Sequence, residues 1–315
     1  MKHHFQINWV NGMKITSNHF IELENHFIHR LQNSLKGMVT PLSYGLLPGE
    51  EKDWNIPKFS ISFNENKLRS LSSFCALSPE GYLVEIPANL EFSLAKPITE
   101  ASSYYLVISI KPFERVPYGL LNEEESPLRF PESIAEYQFQ LVAREANTLH
   151  SVGNCVVPVG KFFRSNFDED KSYIPPCARI NAHPALMEIY NSLHAAMNDL
   201  EKKVLEMLSE PNISNRIMLV NLLNFFTDNK TEYDWNLQYQ PPVYLFEMVN
   251  KLARTIYYSS SIQNSHYNEQ LTNILQGIMT YKYDHLEIGA AITNVKQFTE
   301  NYLKFLPKQE NIFGV

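Results

Sequence analysis

Three groups of side chains in this 315-residue sequence have types and spacings that could carry chemistry. His19, Glu22, His26 and His29 fall at i, i+3, i+7 and i+10, which on a helix gathers them on roughly one face and makes a divalent-metal site conceivable. The tighter H-E-x-x-H spacing of zinc enzymes is absent, and a polar helix face needs no ion, so no metal ligands are assigned. Asp168, Glu169 and Asp170 form an acidic cluster. General acid–base catalysis needs carboxyls whose surroundings drive their pKa values apart, whereas a charged run in a turn is ordinarily solvated. Cys155 could pair with a distant His as a thiol nucleophile, but Val156, Val157 and Val159 read as strand core and no activating motif surrounds it. The sequence therefore offers no catalytic residue, no cofactor site and no metal site, and the expectation is a protein that is not an enzyme.

Composition narrows the classes further. With 11 glycines and no G-x-G-x-x-G, G-x-x-x-x-G-K or G-x-S-x-G, the loops that cradle phosphates or present a serine nucleophile are missing. Cys75, Cys155 and Cys177 are odd in number and widely spaced, which fits neither a disulfide framework nor a zinc knuckle. The net charge is −7 with Lys and Arg scattered, so nucleic acid is not an expected partner. A 44% hydrophobic, 19% charged chain is globular, and its longest apolar runs are too short to span a bilayer. The opening MKHHFQINWV has no leader pattern, which points to the cytoplasm and to no direct membrane insertion.

The elements that must position these residues change character near residue 180. Before it, short extended runs at 58–64, 82–86, 90–94, 104–110, 136–143 and 155–163 lie between turn residues, as in an antiparallel β-sandwich or barrel. The proline-rich stretch from Pro112 to Ser133, with Glu123, Glu124 and Glu125, reads as a surface loop or hairpin excursion. A helix over 18–36 precedes the strands, with Ser17 or Asn18 as its cap and Gly37 as a left-handed stop. Its apolar face is Phe20, Leu23, Phe27, Ile28, Leu31 and Leu35.

Pro175 and Pro176 read as a stiff hinge, after which the chain is helical. Leu186, Tyr190, Leu193, Met197, Leu200, Val204 and Met207 recur at alternating steps of four and three, a heptad seam ended by Pro211. That seam can pack inside a helical bundle or between chains. Further helical segments follow at 214–226, 242–257, 268–281 and 286–305. The expected organisation is α+β and multidomain, with a β-rich domain over 1–180 and a helical bundle over 181–315.

Trp9, Gly12, Met13, Ile15, His19 and Phe20 stand as W-x-x-G-M-x-I-x-x-x-H-F, and this resembles the opening motif of the TssK family, the baseplate subunits of bacterial type VI secretion systems. Tyr44–Gly45–Leu46, Pro79–Glu80–Gly81 and Tyr173–Ile174–Pro175–Pro176 resemble further family elements in the same order, across roughly the first 210 residues. The resemblance implies a homotrimer with a β-rich shell, similar to the shoulder of phage receptor-binding proteins, and a helical neck. It implies that the shell docks on a wedge of TssF and TssG, with Trp9, Gly12, Met13, His19 and Phe20 in the docking region. It also implies a seam from Leu186 to Met207 that lies partly between chains. Asn11, Ser17 and Asn18 depart from the family pattern. The bundle runs to Phe305 with only a short tail. The expectation is therefore a short, Bacteroidetes-like form without the family's C-terminal head, attached to a membrane-anchoring complex through the neck tip or other proteins. Two other readings remain: a phage-tail-like receptor-binding protein, and a β-sandwich carbohydrate-active enzyme with two opposed carboxylates.

Overall fold

The computed structural model describes residues 4–49, 54–97, 100–144, 156–164, 167–210, 216–262 and 269–303. Cys155, Pro211 and Phe305 lie outside these residues. The chain divides into two compact units. The first holds Met1–Gly45 and Asn55–Lys171, the second Leu46–Trp54 and Ser172–Val315. The division thus falls at residue 172, and a short early segment joins the second unit, which the single sequence boundary at 180 does not anticipate. The reason is local: the Leu46 N–H donates to the Pro176 carbonyl at 2.7 Å and the Ala178 N–H donates to the Leu46 carbonyl at 2.9 Å. Pro175 and Pro176, read as a stiff hinge, are thus buried in a bonded strap within the second unit.

After the two-residue β1 (Gly45–Leu46), β2 (Phe59–Ser62), β3 (Lys67–Ser70) and β6 (Glu91–Ser93) of the first unit form one antiparallel ladder, and β4 (Phe74–Leu77) pairs with β5 (Leu83–Ile86). A third ladder places β7 (Ser103–Tyr118) between β8 (Glu132–Ala143) and β9 (Val156–Phe163). β3 and β4 are not among the runs read from the sequence. Tyr104 to Ile108 are buried without a break, since β7 is the central strand and covered on both faces. Past Ile110 the ladder shifts: Lys111 pairs with Glu136 and Arg115 with Ala135, so Pro112, Phe113 and Glu114 bulge out of register. Beyond the bulge the β7–β8 hairpin continues as an arm with exposed Val116, Leu120, Leu121, Leu128 and Phe130. The hairpin excursion read from the prolines is this arm.

α1 spans Ser17–Lys36, capped by Thr16, whose backbone N–H donates to His19 Nδ1 at 3.0 Å. His19 thus closes the first turn from the third helical position, a role a Glu or Gln often fills. Gly37 is right-handed (φ −68°, ψ −17°) and does not supply the expected left-handed stop.

The second unit is helical: α2 (Pro184–Leu208), α3 (Arg216–Trp235), α4 (Pro242–Ile262), α5 (Glu269–Thr280) and α6 (Ile288–Phe298), followed by one π-type turn at Thr299–Leu303. α3 runs nine residues past the expected end at Phe226. The polar run after Phe226 stays helical because Tyr233, 1% exposed, anchors it to α2. Tyr233 Oη donates to the Tyr190 carbonyl at 2.7 Å, Tyr190 Oη donates to the Tyr233 carbonyl at 2.9 Å, and the two rings stack 4.9 Å apart. Packing of this kind overrides weak local propensity. No helix among the described residues is long and apolar enough to cross a membrane.

The start of α2 carries a pH dependence. His183 is the N-cap, its Nδ1 accepting the Ala185 N–H at 3.2 Å, and burial lowers its pKa from 6.5 to about 4. The folded state binds the proton more weakly than the unfolded chain, so the stabilisation present above pH 6.5 is lost as pH falls towards 4, up to about 3 kcal/mol. Thermal melts should therefore show the helical unit weakening between pH 6.5 and 4. His183→Asn keeps a capping side chain without the titration and should flatten that profile; an unchanged profile would assign the acid sensitivity to other groups.

Candidate protein interface

The polar residues singled out for chemistry lie on separate contacts. His19 caps α1, and His4 Nδ1 lies 3.3 Å from Glu22 Oε2. His26 Nδ1 donates to the His4 carbonyl at 2.9 Å, and His29 Nε2 lies 3.3 Å from Asn33 Nδ2. Among the described residues, no three His, Cys, Asp or Glu side chains are grouped to hold a metal. Asp168 and Asp170 bond back to β9 through the backbone, and the Asp170 carboxylate lies 3.8 Å from Lys161 Nζ. Burial raises the Cys75 pKa to about 11 and pushes Cys177 up further, so both stay protonated thiols at neutral pH.

These polar contacts give α1 an orientation opposite to the one its amphipathic pattern predicts. Asn25, His26 and Gln32 are buried. Arg115 Nη2 donates to Asn25 Oδ1 at 3.0 Å, and the bulged Phe113 stacks on His4 with ring centres 4.3 Å apart. Gln32 Nε2 donates to the Glu80 carbonyl at 2.7 Å, while Lys36 pairs with the Glu80 carboxylate. The turn at Glu80–Gly81 forms the seat for the end of the helix. Gly81 has φ +84°, and a Cβ there would lie 2.6 Å from the Lys36 nitrogen and 2.9 Å from the Gln32 carbonyl, so only glycine allows the helix backbone this close.

With its polar side taken up by the shell, α1 turns its apolar side outward. At 100° per residue, Phe20, Phe27 and Leu31 lie within about 40° of one another, opposite Asn25 and His26. They are 55%, 62% and 51% exposed. The preceding segment adds exposed Phe5, Trp9, Val10 and Ile15, and Met38 follows. An exposed apolar surface of this extent has the character of surfaces that contact other molecules. A groove of about 400 Å³ runs beside it, lined by Ile28, Leu31, Tyr82, Pro87, Ile110 and Ile134. The expected inward apolar face of α1 is thus corrected: the helix buries Asn25, His26 and Gln32, each making a hydrogen bond although Gln32 Oε1 has no partner, and it leaves Phe20, Phe27 and Leu31 exposed while Leu23, Ile28 and Leu35 are half-buried.

The heptad seam of α2 is the second correction. Leu186, Tyr190, Leu193, Met197, Leu200, Val204 and Met207 are all at most 6% exposed within the single chain, covered by neighbouring helices. A side chain already closed off inside its own bundle has no surface to give a second chain, so the expected partly intermolecular seam is not available.

No protein-family model and no curated protein matches the chain. Solved structures do. A crystal structure of TssK aligns over 97% of this chain and 70% of its own, at 12% identity and a TM-score of 0.56. A TssK from the type VI secretion system of EAEC, solved with a nanobody, aligns over 89% and 68%, at 15% identity and 0.56. A chain of the TssK–TssF–TssG baseplate subcomplex aligns over 96% and 100%, at 16% identity and 0.54.

The fold is that of TssK. Within this TssK fold the motif residues have distinct placements. Gly12 sits at φ +81° in the turn closed by the Met13 N–H donating to the Val10 carbonyl at 3.2 Å. Trp9 lies 6.0 Å from the His19 ring, both beside the cap of α1. Trp9 and Phe20 are exposed, while Met13 and His19 are half-buried. The turn and the cap therefore build the shape of the apolar surface, and Trp9, Val10, Ile15 and Phe20 supply its contact area. Sequence reasoning named Trp9 and Phe20, quoted Ile15 as a motif residue without placing it in the docking region, and missed Phe5 and Val10. The signal for them was the density of large apolar residues in a segment with no strand or helix period.

Proposed function

We propose that the chain is a non-catalytic assembly adaptor of a type VI secretion (contractile injection) baseplate, acting in the cytoplasm at the face of the inner membrane. The first unit serves as the shoulder-like shell and the helical unit as the neck. The observation that carries this reading is the outward apolar surface from Phe5 to Phe20 on a TssK fold. Structures with that fold include one solved with TssF and TssG, and a docking surface is what such a role demands. In this reading the turn around Trp9, Gly12, Met13, His19 and Phe20 contacts a wedge of TssF- and TssG-like proteins. The chain self-associates as a homotrimer, so that several modest contacts act together by avidity. Attachment to a membrane-side anchor goes through the neck tip. The solved structures that share this fold are TssK and a baseplate subcomplex, which favours the adaptor reading over the carbohydrate-enzyme one. Co-expression with the TssF- and TssG-like proteins of its own genome tests the proposal. The expected result is co-purification of a stable complex; recovery of the chain by itself would contradict it.

A further inference from the structure

We infer that the cleft between α3 and α4 holds an extended acidic segment of a partner protein. The cleft has a volume of about 510 Å³ and lies wholly within the helical unit. α3 lines it with Asn221, Asn224 and Asp228, and α4 lines it with Lys251, Arg254 and Tyr258. Both sets stand at i, i+3 and i+7, which on a helix keeps three side chains within about 60° of one another. Phe225 and Ser259 also line the cleft and are buried, and Asn221 Nδ2 donates to Ser259 Oγ at 3.0 Å. Each helix thus presents a row of polar side chains to the cleft. The rows run about 10 Å along each helix axis, the span of three residues of an extended chain.

The groups left without partners define what the cleft accepts. Asn224 and Asp228 are exposed, and neither side chain makes a hydrogen bond or ion pair among the described residues. Asparagine is a weak helix former, and no bond offsets that cost at Asn224. Its carboxamide donates and accepts in one plane, as a peptide group does, which suits it to hold a passing backbone. On the facing helix, Arg254 Nε donates to Asn250 Oδ1 at 2.6 Å and Nη2 to the Met279 carbonyl at 3.3 Å. Those bonds fix the guanidinium and leave its third nitrogen for a carboxylate. Lys251 pairs with Glu247 at 2.9 Å, but both side chains are about half exposed, where such a pair contributes little and yields to a ligand. Two cations against the one carboxylate of Asp228 make the lining net positive in a chain of net charge −7, so its complement is acidic. Tyr258, 52% exposed, offers a ring face to the segment's side chains.

The cleft and the apolar turn belong to different units, so binding here is measured apart from wedge docking. Fluorescence anisotropy on the full chain at low ionic strength would use a labelled Gly-Glu-Gly-Glu-Gly-Glu-Gly peptide and its Gln counterpart. Alternate residues of an extended chain face one side, so the three glutamates meet α4 together. The Glu peptide should bind at least about tenfold tighter than the Gln peptide. Lys251→Glu should erase that preference, and Asn224→Ala should weaken both peptides alike. Both positions are exposed, so the two variants should melt like the wild type. Lys202→Glu, on α2 and outside the lining, should bind as the wild type does. Equal affinity for the two peptides, no binding of either at millimolar concentration, or a preference that survives Lys251→Glu overturns the inference. An equal loss in the Lys202 variant also overturns it, because the attraction would then belong to the whole surface.

Discussion

Leu193→Asp is expected to unfold the helical unit. Leu193 is fully buried on α2, and Leu200 and Val204, about two and about three turns further along the same seam, are equally closed off. The substitution removes a packed side chain, worth about 2–5 kcal/mol, and adds a carboxylate with no partner. The sum exceeds about 4 kcal/mol, a large share of the 5–15 kcal/mol that holds a typical domain. Circular dichroism should show lost helix and a lowered or absent cooperative melt at neutral pH. Were the seam between chains, the same substitution would leave helicity intact and only reduce the mass.

The second large effect is expected at the seat of α1. Gly81→Val forces a β-branched residue to a positive φ, at about 1–2 kcal/mol, and drives its Cβ into the backbone of Gln32 and Lys36. Overpacking against backbone adds about 1–3 kcal/mol more. α1 should lift from the shell, exposing Asn25, His26 and Gln32 without their partners. Proteolysis within 17–36 should then accelerate while the β-ladders persist. An unchanged cleavage pattern would show that α1 is held chiefly by contacts other than the Glu80–Gly81 turn.

Much of the fold was readable because the signals were local. The β-rich then helical order, the position of α1 and the heptad seam of α2 follow from composition and spacing within short windows. The orientation of α1 was not readable. Periodicity shows that one side is apolar and one polar, and the usual inference sends the apolar side inward. Here the outcome depends on partners 48 to 91 residues away: the Glu80 carbonyl for Gln32, and Arg115 for Asn25 and Glu24. His26 follows the same logic through the returning His4 backbone. Each of these three side chains gains a bond, which offsets burial that looks wrong by hydropathy, although Gln32 Oε1 keeps no partner. The α2 seam fails in the opposite sense: a heptad repeat gives the spacing of a helix contact and carries no information on whether the facing helix belongs to the same chain. Local rules break at α1, where the proposed interface lies.

The account stands most directly on the docking of the N-terminal apolar turn, and one comparison tests it. The chain and its Ile15→Asp variant would each be co-expressed with the TssF- and TssG-like proteins of the same genome and recovered by a tag on the chain. Ile15 is 58% exposed, so the variant should fold and melt like the wild type. The wild type should retain the wedge proteins and the variant should lose them by at least about tenfold, the loss expected for roughly 1.4 kcal/mol at a buried contact. Equal recovery of the wedge with both chains, or with neither, would contradict the assignment of this surface.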